Sequence, residues 1–188
     1  MNEEDPAKPS ELRIHVIQGE CRVSLDPNVI LTTTLGSCIA ACMRDPVAKV
    51  GGMNHFLLPE GEGVGGSEAL RYGAYAMELL VNGLLRSGAR RERLEAKLFG
   101  GGRLSDNLTD IGEKNATFAE EFLIRESIRQ VGGSLRGRQA RRIQYWPVSG
   151  RARQLALPVG MDATFKAEIV IGRAPRSEGS VELFGPAK

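Results

Sequence analysis

A chain of 188 residues is long enough for one domain with a real hydrophobic core and too short for two comfortable ones. With 41% hydrophobic residues, 26% charged residues and a formal net charge of +2, it has the balance of an ordinary globular protein, which excludes a disordered or fibrous chain and gives no global bias toward nucleic acid. No apolar run reaches the length of a membrane span, and Met1 to Glu11 is polar and acidic, so a cytoplasmic protein without membrane insertion is expected.

Residues 1–11, with Pro6 and Pro9 among charges, read as a flexible leader; 12–172 read as the folded domain and 173–188 as a flexible tail. Arg13 to Ile17, Cys21 to Val23 and the β-branched run Val29 to Thr34 read as strands. After the break at Leu35-Gly36-Ser37, the apolar segments Cys38 to Arg44 and Val50 to Pro59 flank Asp45-Pro46, a turn opener, and together read as a hairpin. Ser67 caps a helix whose apolar face runs from Leu70 through Met77, Leu80, Val81 and Leu84 and which ends near Gly88.

Leu94 to Phe99 follows as a strand leaving through Gly100-Gly101-Gly102. A second helix runs from Asp110 through Phe118, Phe122 and Ile128 and is closed by Gly132-Gly133. Arg141 to Tyr145 and Arg153 to Leu157 flank a turn at Ser149-Gly150 and form another hairpin. Ala167 to Ile171 is a last strand, and Val181 to Phe184 an edge or docking segment. Strands mixed with two main helices predict a single-domain α/β sandwich.

The three cysteines, at 21, 38 and 42, are an odd set without a disulfide framework, and thiols of a reducing compartment stay available for chemistry or packing. Cys38 and Cys42 lack zinc-knuckle spacing and His15 and His55 are the only histidines, so no metal site is expected. A two-residue loop between Asp45 and Ala48 places Cys38 directly opposite His55, where Cβ atoms lie about 4.5–5.5 Å apart. An imidazolium beside a thiol favours the thiolate, and the same ring can protonate a departing amine. Against this stands the commoner role of both residue types, a buried cysteine and a structurally satisfied histidine. Cys42 is expected to pack as a small hydrophobe, and Cys21 and His15 are expected to be structural.

Thr32 to Cys38, then Met43-Arg44-Asp45-Pro46 and His55 ahead of Leu58-Pro59, closely resemble the chemoreceptor glutamine deamidase family, CheD. The resemblance continues through Leu94 to Gly101, Ile111 to Asn115 and Arg142 to Tyr145 ahead of Ser149-Gly150, and covers roughly Arg13 to Leu157. It implies a cytoplasmic chemotaxis protein that hydrolyses glutamine side-chain amides on methyl-accepting chemoreceptors through a Cys-His-Thr triad, here Cys38, His55 and Thr32. It also implies an α/β sandwich similar to the catalytic fold of the cytotoxic necrotizing factor toxins, a CheC-like phosphatase as a binding partner, and no cofactor. A monomer is the default expectation. The chain departs from the family pattern at Ser134 to Ala140, longer and richer in arginine, and at Val131, where an acidic residue is usual.

The implied chemistry is thiolate attack on the amide carbon, an oxyanion held by backbone N–H groups near Ser37 and Cys38, loss of ammonia, and hydrolysis of the thioester. Gly100-Gly101-Gly102 lacks the Lys-Ser/Thr of a phosphate loop and reads as close backbone packing beside the substrate groove. From Arg129 to Arg153 there are seven arginines and no acidic residue, a solvated hairpin face or a surface that docks an acidic receptor region through Arg141, Arg142 and Tyr145. Rival readings are a regulator that binds receptor or phosphatase, a transglutaminating thiol enzyme, and, last, a nucleic-acid module.

Overall fold

The computed structural model describes residues 11–59, 66–104 and 111–157. Nine strands and two helices occur among them: β1 (Leu12–His15), β2 (Cys21–Ser24), β3 (Val29–Leu35), β4 (Ile39–Asp45), β5 (Val50–Phe56), α1 (Gly66–Arg86), β6 (Glu95–Gly100), α2 (Ile111–Arg125), β7 (Arg129–Leu135), β8 (Arg141–Tyr145) and β9 (Ala152–Ala156). The expected strand at Ala167 to Ile171 and the segment at Val181 to Phe184 lie outside the described residues.

The strands form two sheets, ordered β1-β3-β8-β9 and β2-β5-β4-β6-β7. Pairing is antiparallel except between β1 and β3 and between β6 and β7. The five-stranded sheet is the middle layer of an α/β sandwich. One of its faces packs on α1 and α2 through Ile39, Met43, Phe56, Leu80 and Phe122, and the other packs on the four-stranded sheet through Cys38, Cys42, Met53, Leu31 and Tyr145. A strand covered on both faces has no solvent side, so β4 and β5 are apolar or small at ten of their fourteen positions and carry no period-two signature.

The β4–β5 hairpin forms as expected, with a different register. Asp45 pairs with Val50 across a four-residue loop, so His55 lies opposite Ala40 and not opposite Cys38. The cause is local: Asp45 Oδ1 accepts the N–H groups of Val47 (2.9 Å) and Ala48 (3.0 Å), which curls the loop on to Lys49 at φ 54° before pairing resumes. A turn of this hand twists against a two-residue hairpin and needs the extra residues. Because the register moves by an even number of residues, every side chain keeps its expected face.

The second helix ends at Arg125, and Arg129 to Leu135, expected to include its glycine stop, is strand β7 on the sheet edge. The glycines mislead because they serve close approach: a Cβ on Gly133, at φ +130°, would sit 2.0 Å from the Leu98 carbonyl oxygen. Ser67 lies inside α1, one residue past its start.

Candidate active site

The site lies at the seam between the two sheets. Thr33 comes from β3 of the outer sheet, His55 from β5 of the middle sheet, and Cys38 from the turn that enters β4. Cys38 continues the β4 pleat onto the face shared with Ala40 and Cys42, and is 8% exposed. With Ala40 opposite His55, Cys38 and His55 are diagonal neighbours on one face, a separation of about 7–8 Å or less that leaning side chains can close.

Three contacts orient the imidazole. Its Nδ1 lies 2.9 Å from Thr33 Oγ1 and 3.2 Å from the Val16 carbonyl oxygen, while Thr33 Oγ1 donates its own proton to that carbonyl at 2.7 Å. A hydroxyl has one proton, so towards Nδ1 both neighbours are acceptors, and Nδ1 must carry the ring hydrogen. The lone pair is therefore on Nε2, a buried atom with no hydrogen-bond partner among the described residues. Burial, against the Val16 carbonyl and with a smaller push from the charge of His15, brings the His55 pKa down to about 4. At neutral pH this ring is a neutral base, not the imidazolium expected from the Cys-His pairing alone.

The backbone of the cysteine turn is pinned on its inner side. Gly36 C=O accepts from Gly102 N–H (2.8 Å), Ser37 C=O from Asn115 Nδ2 (3.0 Å) and Cys38 C=O from Gly101 N–H (2.8 Å). Across a trans peptide the N–H points away from the carbonyl, so the Ser37 and Cys38 N–H groups turn from these partners. Gly100, at φ +110°, lets the strands meet, since a Cβ there would lie 2.0 Å from the Cys38 carbonyl oxygen. This is the backbone packing expected of the three glycines. Asn115 also accepts the Leu58 N–H (2.9 Å), tying α2 to the turn before β4 and to the segment after β5.

The threonine at the imidazole is Thr33, where the resemblance implied Thr32. Thr32 is on the opposite face of β3 and pairs through its backbone with His15 and Gln144. Val29, Leu31 and Leu35 face inward, and that alternation singles out Thr33 among the three threonines. The Val16 carbonyl, Gln18, whose Oε1 lies 3.5 Å from Cys38 Sγ, and Asn115 were not selected as site residues from the sequence. Only Asn115 lies within a stretch that carries the resemblance.

The proposed docking surface loses two members. Arg141 is buried, and its guanidinium donates to Ser134 O (2.8 Å), Ser134 Oγ (3.0 Å) and the Arg136 carbonyl, holding the β7–β8 loop. Tyr145 is 1% exposed in the inter-sheet core. Alternation along β8 leaves Arg142 exposed. Other arginines of the stretch are engaged: Arg136 by Glu113 and Glu120, Arg129 by Glu95, and Arg151 over the Trp146 ring at 3.8 Å. Cys42 is fully buried with its thiol pKa pushed far up by burial; burial also raises Cys21 to about 11, against Arg22 and Arg86. Among the described residues no three His, Cys, Asp or Glu side chains converge as a metal would require, and no helix is long and apolar enough to cross a membrane.

Fold and site define an α/β-sandwich protein with a thiol and a tautomer-fixed imidazole at the seam of two sheets. Residues 57–155 match the family model described as CheD chemotactic sensory transduction. The chain is 60% identical over 177 residues to "Probable chemoreceptor glutamine deamidase CheD" of Acidiphilium cryptum (strain JF-5), covering 92% of this chain and 93% of that one. It is also 60% identical over 175 residues, with the same coverage, to the protein of that name from Caulobacter sp. (strain K31). This chain belongs to the CheD family. Among solved structures, Neisseria meningitidis protein NMB0706 overlaps 66% of this chain and 64% of its own at a TM-score of 0.45 and 10% identity.

Proposed function

We propose that this protein hydrolyses the side-chain amides of selected glutamines on methyl-accepting chemoreceptors in the cytoplasm, with Cys38 as nucleophile and His55 as general base and acid. The observation that carries this reading is the Nε2 lone pair of a neutral His55, without a hydrogen-bond partner among the described residues and on the same sheet face as Cys38. The names of the family relatives supply the substrate.

In this mechanism His55 Nε2 takes the Cys38 proton as sulfur bonds to the amide carbon, and the carbonyl electron pair becomes an oxyanion facing the Ser37 and Cys38 N–H groups. Collapse breaks the C–N bond, and ammonia departs with the proton from Nε2. Water then attacks the thioester while Nε2 accepts its proton, and glutamate and the Cys38 thiol are restored. Thr33 and the Val16 carbonyl hold the ring tautomer, the part assigned to Thr32 by position in the family. No cofactor enters any step.

Arg142 is the remaining exposed candidate for receptor docking. A CheC-like phosphatase as partner rests on the resemblance, with a monomer as the default state, and Cys38→Ser separates that role, since binding should survive the change and catalysis should not. The decisive experiment is mass spectrometry of a chemoreceptor cytoplasmic fragment incubated with wild type, Cys38→Ala and His55→Ala. Glutamine-to-glutamate conversion by wild type alone supports the reading. Conversion by Cys38→Ala would sink it.

A further inference from the structure

The segment joining β1 to β2 is fastened to His55 at three of its five residues, Val16, Gly19 and Glu20. The Val16 carbonyl faces the ring, Gly19 N–H donates to the His55 carbonyl at 2.7 Å, and the His55 N–H donates to the Glu20 carbonyl at 3.0 Å. Glu20 closes the turn on itself, its N–H donating to Ile17 C=O (3.0 Å) and its carboxylate accepting the Ile17 N–H (3.2 Å). Arg22 Nη2 in turn holds the other Glu20 oxygen at 2.9 Å. Gln18 sits at the tip of this braced turn, exposed to solvent, and its side chain reaches back to Cys38 Sγ.

We propose that Gln18 is a catalytic residue, whose side-chain amide donates a hydrogen bond to the oxyanion formed when Cys38 attacks a substrate carboxamide. This rests on the reading of Cys38 as nucleophile. In the resting state Oε1 accepts from the Cys38 thiol at 3.5 Å. Once sulfur has lost its proton and bonded to carbon, the group beside it is an oxyanion two bonds away, which only accepts. The terminal torsion of glutamine is broad and nearly two-fold, so turning Nε2–H2 into the place of Oε1 costs little. The backbone beneath it is already held by the general base, so the donor is preorganised with respect to both catalytic groups. It complements the Cys38 N–H from the solvent side, where substrate enters.

The alternative for Gln18 is a weak surface contact whose loss changes nothing, and kinetics separate the two. Deamidation of a chemoreceptor cytoplasmic fragment is measured by mass for wild type, Gln18→Ala, Gln18→Glu and Cys38→Ala. The expected result is a roughly 100- to 1,000-fold loss of kcat in Gln18→Ala and at least as much in Gln18→Glu, which keeps the size but has no donor, with KM within about threefold. Wild-type kcat in both, with Cys38→Ala inactive, overturns the proposal and leaves the nucleophile standing; so does a rise in KM at unchanged kcat. Activity in Cys38→Ala overturns the nucleophile reading and the proposal with it. Without any substrate, the pH profile of iodoacetamide alkylation at Cys38 should move to higher pH in Gln18→Glu, because a carboxylate opposes the thiolate. Superposable profiles would mean that Gln18 does not touch the reacting sulfur.

Discussion

Thr33 Oγ1 lies 2.9 Å from His55 Nδ1, and this contact crosses from the outer sheet to the middle sheet. The hydroxyl is held from behind by the Val16 carbonyl, so the ring rests against two acceptors that belong to no single sequence stretch. Replacing Thr33 by valine keeps the shape and removes one acceptor, leaving the carbonyl. One hydrogen bond to the imidazole is worth about 1–1.5 kcal/mol, so if His55 is the base proposed above, deamidation should slow about tenfold. Thr33→Ser should stay close to wild type, and Thr32→Val within about twofold. Rates of the three variants on one receptor fragment decide between the neighbouring threonines.

Burial of neutral His55 makes stability depend on pH. Its folded pKa, about 4, is below the ordinary 6.5, so between these values the unfolded chain binds a proton that the folded chain refuses. The contribution is fully present above about pH 6.5 and is lost as pH falls towards 4, on the order of 3 kcal/mol in all and about 2 by pH 5. Urea unfolding at pH 7 and pH 5 should show this loss in wild type and a much smaller one in His55→Gln. Asp45, held at about 2 because four donated hydrogen bonds outweigh its burial, titrates below this window.

Two glycines separate steric clash from backbone strain. Gly88 and Gly100 both have φ near +100°, yet a Cβ on Gly88 meets nothing within 4 Å, while one on Gly100 strikes the Cys38 carbonyl at 2.0 Å. Gly88→Ala should cost about 1 kcal/mol, the strain alone. Gly100→Ala should cost more than about 3 kcal/mol, or fold with the cysteine turn displaced and activity lost. Thermal melts of the pair, alongside activity, test the difference.

Asn115 both donates and accepts, and a carboxylate at that position cannot do both. Asn115→Asp keeps the acceptor for Leu58 N–H and sets a negative oxygen against the Ser37 carbonyl, where the amide donates. The residue is fully buried, so the unfolding free energy should fall by about 2–4 kcal/mol, with deamidation reduced further because the cysteine turn loses its anchor. Equal activity in Asn115→Asp would show that the α2 anchor does not position Cys38.

Much of the architecture is legible in residue order. Strand-forming runs, two amphipathic helices and the turn at Asp45 are local signals, and ten of the eleven strands and helices described stand where such signals place them or within a few residues, β7 being the exception. That strand hides because its partner is β6, reached through α2 by a parallel crossover, and because Gly132 and Gly133 serve contacts with the Lys97 side chain and the Leu98 backbone that no neighbour in sequence reveals. The hairpin register shifted by two for an equally specific reason, the two N–H groups collected by Asp45 Oδ1.

By itself the sequence determined the α/β sandwich, the family resemblance, and the presence of Cys38 and His55 on one face of one hairpin, because alternation and turn chemistry act over a few residues. Tertiary structure alone decided that Thr33 meets the imidazole, that the Val16 carbonyl sets its tautomer, that Gln18 reaches the thiol and that Arg141 and Tyr145 are buried. Each of these depends on which segments pack across the seam between two sheets, and that is fixed by burying both faces of the middle sheet at once, a condition the whole chain satisfies and no short stretch encodes.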